Sequence, residues 1–253
     1  MRAIVHAVSD RLADCELTFR DRVPIDVARA RQQHAAYCAL LGELGVAVES
    51  VDVSPAHADA VFVEDTAVVL DEVAVAAAMG APTRRAEVAA MLPVLQRWRL
   101  VLALRAGTLE GGDVLALDRD LFVGRSRRTD DRGIAAFCEL VAPFGYRVHA
   151  VAVAGCLHLK TAVTAIGPGR LLADPRQVDA RAFAGHDVVA VAANEPGAAN
   201  ALLVGATVCL PASCPRTAAQ LAARGFAVRT VDIGEFEKAE AGLTCLSLLF
   251  TAA

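Results

Sequence analysis

One pattern is written five times along this chain: a helix, a glycine or aromatic break, a hydrophobic strand, then a polar residue that opens the next unit. The breaks and strands read Gly45-Val46-Ala47-Val48, Trp98-Arg99-Leu100-Val101, Gly145-Tyr146-Arg147-Val148, Gly185-His186-Asp187-Val188 and Gly225-Phe226-Ala227-Val228. Roughly a dozen to twenty residues after each break stands a chemically loaded residue: Glu64-Asp65, Glu110, His158, Asn200 and Cys245. A fixed period means a repeat architecture, and units stacked around a centre bring equivalent positions together. Acids, a histidine and a cysteine that share one repeat position are therefore expected as neighbours, which points to cysteine-based catalysis.

Each unit also carries an internal hairpin. Ala67-Val68-Val69-Leu70, a turn at Asp71-Glu72 and Val73-Ala74-Val75-Ala76 read as two strands joined tightly. Leu115–Leu117 with Leu121–Val123, Ala162–Thr164 with Leu171–Leu172, and Leu202–Val204 with Thr207–Leu210 repeat the arrangement. Helix-start signals follow each hairpin at Pro82-Thr83, Thr129-Asp130-Asp131, Asp174-Pro175 and Cys214-Pro215. The fifth unit lacks its second half, which lies at the other terminus: a strand Ile4–Val8, a helix from about Ile25 to Leu44 and a strand Val46–Val53. Pairing the two ends closes a ring and removes an exposed edge. An open doubly wound sheet is the competing arrangement, but the hairpins disfavour all-parallel pairing, which needs crossovers.

The 253 residues are 55% hydrophobic, ample for a large core, and no linker or charge block divides them, so one domain spanning 1–253 is expected. A formal charge of −4 with dispersed basic residues gives no footprint for nucleic acid or an anionic membrane. No apolar run approaches the roughly 18 residues of a membrane span, and the opening Met1–Val8 segment reads as a strand, not a signal peptide. Seven cysteines, an odd number without framework spacing, suggest free thiols and a cytoplasmic location.

Cys245 sits in Gly242-Leu243-Thr244-Cys245-Leu246, and a cysteine in an apolar run is by itself more often packing than nucleophile. Its place at a unit mouth opposite His158 distinguishes it from the other six. His158 alone would equally suit a satisfied core histidine. Cys156-Leu157-His158 is not a zinc signature, and no second pair has ligand spacing, so no metal is expected. Glu110-Gly111-Gly112-Asp113 places an acid beside two glycines that permit close backbone approach. Asp59, Glu64 and Asp65 bring further carboxylates to the centre, where they need a cationic ligand. A guanidinium fits: planar, permanently charged and forked to match carboxylates.

Phe62-Val63-Glu64-Asp65-Thr66, Glu110-Gly111-Gly112-Asp113-Val114, Leu157-His158-Leu159-Lys160 and Leu243-Thr244-Cys245 resemble the dimethylarginine dimethylaminohydrolase family, as do Asp26–Arg31 and Pro82-Thr83-Arg84-Arg85. These segments run in family order over nearly the whole chain. The resemblance implies a pentein-type five-bladed α/β propeller. It implies Cys245 as nucleophile, His158 as general acid and base, and Glu110 as the acid that orients the histidine. It also implies substrate contacts at Asp65 and Glu64 for the guanidinium, at Phe62, at Asp59 and the Leu17 backbone for the α-amino group, and at the Ala239 backbone. Relatives often carry a larger aliphatic residue where Ala239 stands. Arg84 and Arg128 are implied as the α-carboxylate contacts. Position alone does not separate them from Arg176 and Arg216, which also stand at helix entrances.

The implied reaction hydrolyses an N-omega-methylated arginine to citrulline and an alkylamine through a covalent thiouronium on Cys245, with no cofactor. The small-molecule substrate is the expected partner, and the protein is expected as a monomer or homodimer. Arginine deiminase and other guanidine-modifying enzymes share the same residue set and remain the nearest alternative. A non-catalytic pentein-fold binding protein, such as a ribosome anti-association factor, is the alternative of a different class.

Overall fold

The computed structural model describes residues 1–251; Ala252 and Ala253, the last two of the expected domain, lie outside the described residues. Among the described residues, fifteen strands form five three-stranded sheets. The first four are β3(Ala67–Val69)-β4(Val73–Ala76)-β5(Leu100–Ala103), β6(Val114–Leu117)-β7(Asp120–Arg125)-β8(Arg147–Ala152), β9(Val163–Gly167)-β10(Arg170–Ala173)-β11(Asp187–Ala190), and β12(Leu202–Val204)-β13(Thr207–Pro211)-β14(Ala227–Val231). In each, the first two strands form an antiparallel hairpin and the third returns parallel to the second. This is the expected unit, and it rules out the open parallel sheet.

The fifth sheet draws on both termini. β15(Leu248–Phe250) pairs antiparallel with β1(Arg2–His6), Ile4 opposite Leu248, and β1 pairs parallel with β2(Ala47–Val51). The ring is closed as the sequence predicts, and the architecture is a five-bladed α/β propeller. First strands of neighbouring blades face the centre, where β3, β6, β9, β12 and β15 line a cavity of about 250 Å³.

Helices α1(Val27–Glu43), α2(Arg85–Leu95), α3(Asp131–Val141) and α5(Pro215–Ala223) pack outside, joining middle to outer strands; α4(Leu159–Ala162) and α6(Gly234–Glu237) are single turns. Asp26 and Asp130 cap α1 and α3 by accepting the backbone N–H groups of Arg29 and Gly133, a typical use of aspartate. Gly45, Gly145 and Gly225 adopt φ of +80°, +80° and +85° where the chain leaves these helices, which explains the recurring glycine of the breaks.

One expected helix does not form. After Asp174-Pro175 the chain makes turns and a short 3-10 segment, Ala180–Phe183, before β11. The Asp174 carboxylate accepts from the Arg176 backbone and guanidinium, and Val178 makes an antiparallel bridge to Val153. That bridge holds Val178 extended in the middle of the short crossover, so the helix-start signal there opens a turn instead.

Candidate active site

The five loaded positions occupy equivalent places: a tight turn immediately before the first strand of each blade. Glu64 and Asp65 lie in the turn Val63–Thr66, Glu110 precedes the turn Gly111–Asp113, and His158 precedes α4. Asn200 ends the turn Pro196–Ala199, and Cys245 lies within Thr244–Leu246. All are buried.

Three of the turns touch through glycine. A Cβ on Gly111 would lie 2.1 Å from the Glu64 carbonyl oxygen, and one on Gly112 would lie 2.7 Å from both Asp65 Oδ1 and His158 Nδ1. The Gly-Gly pair is therefore what lets Asp65, Glu110 and His158 converge.

His158 Nε2 bonds Glu110 Oε2 at 2.8 Å, while Nδ1 lies 3.7 Å from Asp65 Oδ1. Burial alone would lower the imidazole pKa, but Asp65, Asp113 and Glu110 outweigh it and raise the value to about 9. At neutral pH the ring is an imidazolium that donates from Nε2 to Glu110 and holds its Nδ1 proton toward Asp65. Asp113, to which the sequence pattern assigns no role, fixes the same turn: its Oδ1 accepts from Leu159 N at 2.9 Å and its Oδ2 from Ser126 Oγ at 2.6 Å. The sequence signal for it is an acid directly ahead of the apolar Val114-Leu115, and the structure buries it fully.

The Cys245 thiol accepts the Gly242 N–H at 3.5 Å. Burial, then the charges of Glu64 and Asp65, hold its pKa far above the usual thiol value, while the Gly242 N–H and Lys160 act in the other direction. It is a neutral thiol in the ligand-free protein.

The carboxylates divide into engaged and available groups. Glu64 Oε2 accepts from Thr244 Oγ1 at 2.7 Å and Oε1 bonds Lys160 Nζ. Asp65 Oδ2 accepts from Arg84 Nη1 at 2.6 Å, and its Oδ1 is buried without a hydrogen-bond partner among the described residues. His158 and Arg84 overcome the burial penalty and hold Asp65 below the ordinary carboxylate range. Asp59 accepts the Glu16 N–H on both oxygens, at 3.1 and 3.2 Å, and burial raises its pKa to about 6. Asp65, Glu110 and His158 present ligand atoms within 4.8 Å of one another; the 2.8 Å contact between two of them makes this a hydrogen-bonded acid–imidazole pair.

The helix-entrance arginines part company here. Arg176 and Arg216 are exposed, whereas Arg84 and Arg128 are buried. Arg84 is engaged on every side, by Glu87, Asp65 and the carbonyl oxygens of Asp59 and Phe62. Arg128 donates from Nη2 to Thr18 Oγ1 at 3.3 Å, and its Nη1 is buried without a hydrogen-bond acceptor among the described residues, 3.6 Å from Glu110 Oε1.

The remaining contacts named by resemblance frame the mouth. Phe62 packs edge-on against Phe236, ring centroids 6.3 Å apart, and Ala239 is buried in the turn after α6. Leu17 lies on a segment tied down by Glu240, whose carboxylate accepts the backbone N–H groups of Thr18, Phe19 and Arg20. Beside the His158 and Cys245 turns opens a cavity of about 230 Å³, lined in part by Leu157, Thr161, Gly197, Asn200, Gly242 and Phe19.

The chain is similar to known proteins over most of its length. Residues 16–174 match the family described as "N,N dimethylarginine dimethylhydrolase, eukaryotic". A Streptomyces coelicolor protein named N(G),N(G)-dimethylarginine dimethylaminohydrolase is 38% identical over 249 residues, spanning 98% of this chain and 96% of that one. The chain belongs to the dimethylarginine dimethylaminohydrolase family. A dimethylarginine dimethylaminohydrolase of Pseudomonas aeruginosa is 30% identical over 228 residues, 89% of this chain and 90% of that one. Among solved dimethylarginine dimethylaminohydrolases, a histidine-to-glycine variant carrying an S-methyl-L-thiocitrulline adduct superposes with a TM-score of 0.93 at 29% identity, covering 98% of this chain and 99% of that one. A cysteine-to-serine mutant from Pseudomonas aeruginosa complexed with citrulline gives 0.91 at 29% identity, with 98% of both chains covered. The N-terminal domain of the arginine dihydrolase ArgZ, at 20% identity, has a TM-score of 0.88 over 98% of this chain and 96% of that one; that likeness is one of fold.

Proposed function

We propose that this protein hydrolyses N-omega-methylated arginines to citrulline and an alkylamine through a covalent thiouronium on Cys245. One observation carries the reading: a buried thiol and an imidazolium stand at equivalent turns of one bore beside Asp65, a carboxylate with an unpartnered oxygen. That oxygen suits a guanidinium N–H. Binding the cation beside Cys245 offsets the negative field of Glu64 and Asp65, so the thiol gives its proton to solvent when substrate arrives.

The thiolate then attacks the guanidinium carbon, forming the S–C bond. His158 Nδ1, the nitrogen not engaged by Glu110, gives its proton to the departing alkylamine as the C–N bond breaks. The neutral imidazole next takes a proton from water, which adds to the same carbon; collapse breaks the S–C bond and releases citrulline. Glu110 keeps the ring in place and favours its charged form. No cofactor enters this scheme. The five blades work as one catalytic domain, acting on a free small molecule in the cytoplasm as a monomer or homodimer. Among the described residues no helix is long and apolar enough to cross a membrane.

The experiment that tests the reading measures citrulline release by purified protein from monomethyl- and dimethylarginine and from arginine. Faster turnover of the methylated substrates supports it; exclusive turnover of arginine transfers the protein to the deiminase class.

Two predictions concern binding. The pKa of Asp59 is raised to about 6, so its charge is present above that pH and lost as pH falls through it. KM for α-amino substrates should therefore rise below about pH 6, with no such rise in Asp59→Asn, as measured from pH 5 to 8. A pH-independent KM in the parent contradicts the α-amino assignment.

The second concerns the carboxylate end of the substrate. Arg128→Ala should lower kcat/KM by about 30-fold or more, and by much less for a substrate without the α-carboxylate, as expected for one lost partner of a desolvated charge pair. Arg84→Ala should lower both kcat/KM and the melting temperature, because Asp65 and Glu87 lose their shared buried counter-ion. Arg176→Ala and Arg216→Ala should change neither kinetic constant. Equal losses in all four would assign the effect to the scaffold.

A further inference from the structure

Asn200 is the fourth blade's contribution to the ring of mouth residues, and the reaction scheme gives it no task. Its side chain is buried and makes three hydrogen bonds. Oδ1 accepts from Thr244 N at 2.9 Å, and Nδ2 donates to Thr244 Oγ1 at 3.1 Å and to the Lys160 carbonyl oxygen at 3.0 Å. Thr244 immediately precedes Cys245, and Lys160 belongs to the single helical turn that His158 opens. One amide thus grips the nucleophile's turn with both ends and the histidine's turn with one.

The circuit then closes through the first blade. Thr244 Oγ1 donates to Glu64 Oε2 at 2.7 Å, and Lys160 Nζ bonds Glu64 Oε1. Four of the five mouth turns are thereby joined in one cycle of hydrogen bonds, buried except at Lys160, which is half-buried. The backbone makes room for it: a Cβ on Gly242 would lie 2.3 Å from Asn200 Cγ, so only glycine lets the chain before Cys245 pass the amide.

We infer that Asn200 is a positioning residue that sets the separation between Cys245 and His158. The amide is suited to this because it accepts and donates at once, satisfying an N–H on one turn and a carbonyl on the other. A hydrogen-bonded cycle that is largely buried and joins four turns is rigid, and small errors in nucleophile placement are costly, since a shift of about 1 Å can lower a rate about 100-fold. The inference rests on the hydrolase reading above and deepens it.

The test compares Asn200→Ala and Asn200→Asp with Thr217→Val, in intact protein, by kcat, KM and melting temperature. Thr217 is a buried threonine of α5 in the same part of the chain, whose hydroxyl accepts the Ala192 N–H at 3.1 Å away from the mouth. A parent that does not turn over methylated arginine would defeat the hydrolase reading itself, before any variant is compared. With an active parent, Asn200→Ala should lose about 10- to 100-fold in kcat with KM within about threefold. Thr217→Val should lose melting temperature while keeping kcat within about twofold.

Asn200→Asp matches the amide in shape and decides the matter if the alanine variant does not fold. It keeps the acceptor for Thr244 N, loses the donors to Lys160 and to Thr244 Oγ1, and adds charge near the thiol. Its kcat should fall, and alkylation of Cys245 by iodoacetamide should move to higher pH. The inference is overturned if a folded Asn200 variant keeps parental kcat, if its loss falls on KM, or if Thr217→Val loses kcat equally for the same drop in melting temperature.

Discussion

Cys245→Ser should fold like the parent and lose turnover of methylated arginine by about 10³-fold or more, because the step that needs a polarisable nucleophile has lost it. Cys245 lies in a turn whose backbone bonds are made by neighbours, Leu246 to Leu243 and Ser247 to Thr244, so replacing sulfur by oxygen leaves the turn intact. Circular dichroism and melting temperature should be unchanged, while citrulline release falls to the limit of detection. Retention of a tenth of parental activity would remove Cys245 as the nucleophile. Cys38 offers the contrast: it is half-buried on α1, its thiol 3.8 Å from His34, and Cys38→Ala should leave turnover nearly intact.

His158→Asn should lower kcat by about 10²- to 10⁴-fold, the usual worth of a positioned acid–base group. The parent's own pH dependence gives the sign. A pKa raised from 6.5 to about 9 means that the imidazolium persists through neutral pH and is lost as pH climbs through about 9, and that its stabilisation is complete only below the unfolded value of 6.5. The stability it gives by pairing with Asp65, Asp113 and Glu110 should follow the same course, complete at pH 6 and diminished at pH 10. Thermal unfolding of parent and His158→Asn across that range should show the difference between them shrinking toward alkaline pH. A difference that grows with pH would mean that His158 is neutral in the folded protein.

Much of this molecule was legible in its sequence because the repeat does two jobs at once. The same turn that starts each inner strand places a residue at the bore, so a pattern of glycine breaks and hairpins implies both a closed ring of units and the company that Glu64, Asp65, Glu110, His158, Asn200 and Cys245 keep; that the ring is a propeller is what the family resemblance adds. Even the closure is readable, since each end of the chain carries only part of a unit and β1 pairs with β15 to complete the fifth. What sequence position cannot reveal is how charges pair once they meet. Glu64 and Asp65 are adjacent in the chain, yet Glu64 is committed to Lys160 and Thr244 while Asp65 keeps an oxygen free. Arg84 and Arg128 occupy similar helix entrances, yet Arg84 fills a cage of carboxylates and carbonyls. The helix expected after Asp174-Pro175 was lost for a related reason: a non-local bridge to Val153 outweighed a local start signal. Asp113 is not legible as a site residue because its role lies in non-local bonds, to the backbone that follows His158 and to Ser126.

The most direct test of the central claim is the mass of the protein caught in the act. His158→Gly removes the group that both releases the amine and activates water, so any thiouronium that forms should persist. The variant, mixed with S-methyl-thiocitrulline, whose methanethiolate leaves without an acid, then quenched and digested, should show added mass on the peptide containing Cys245 and on no other. Added mass on a different residue, or citrulline formation by this variant with the cysteine peptide unmodified at every time point, would contradict a covalent mechanism at Cys245.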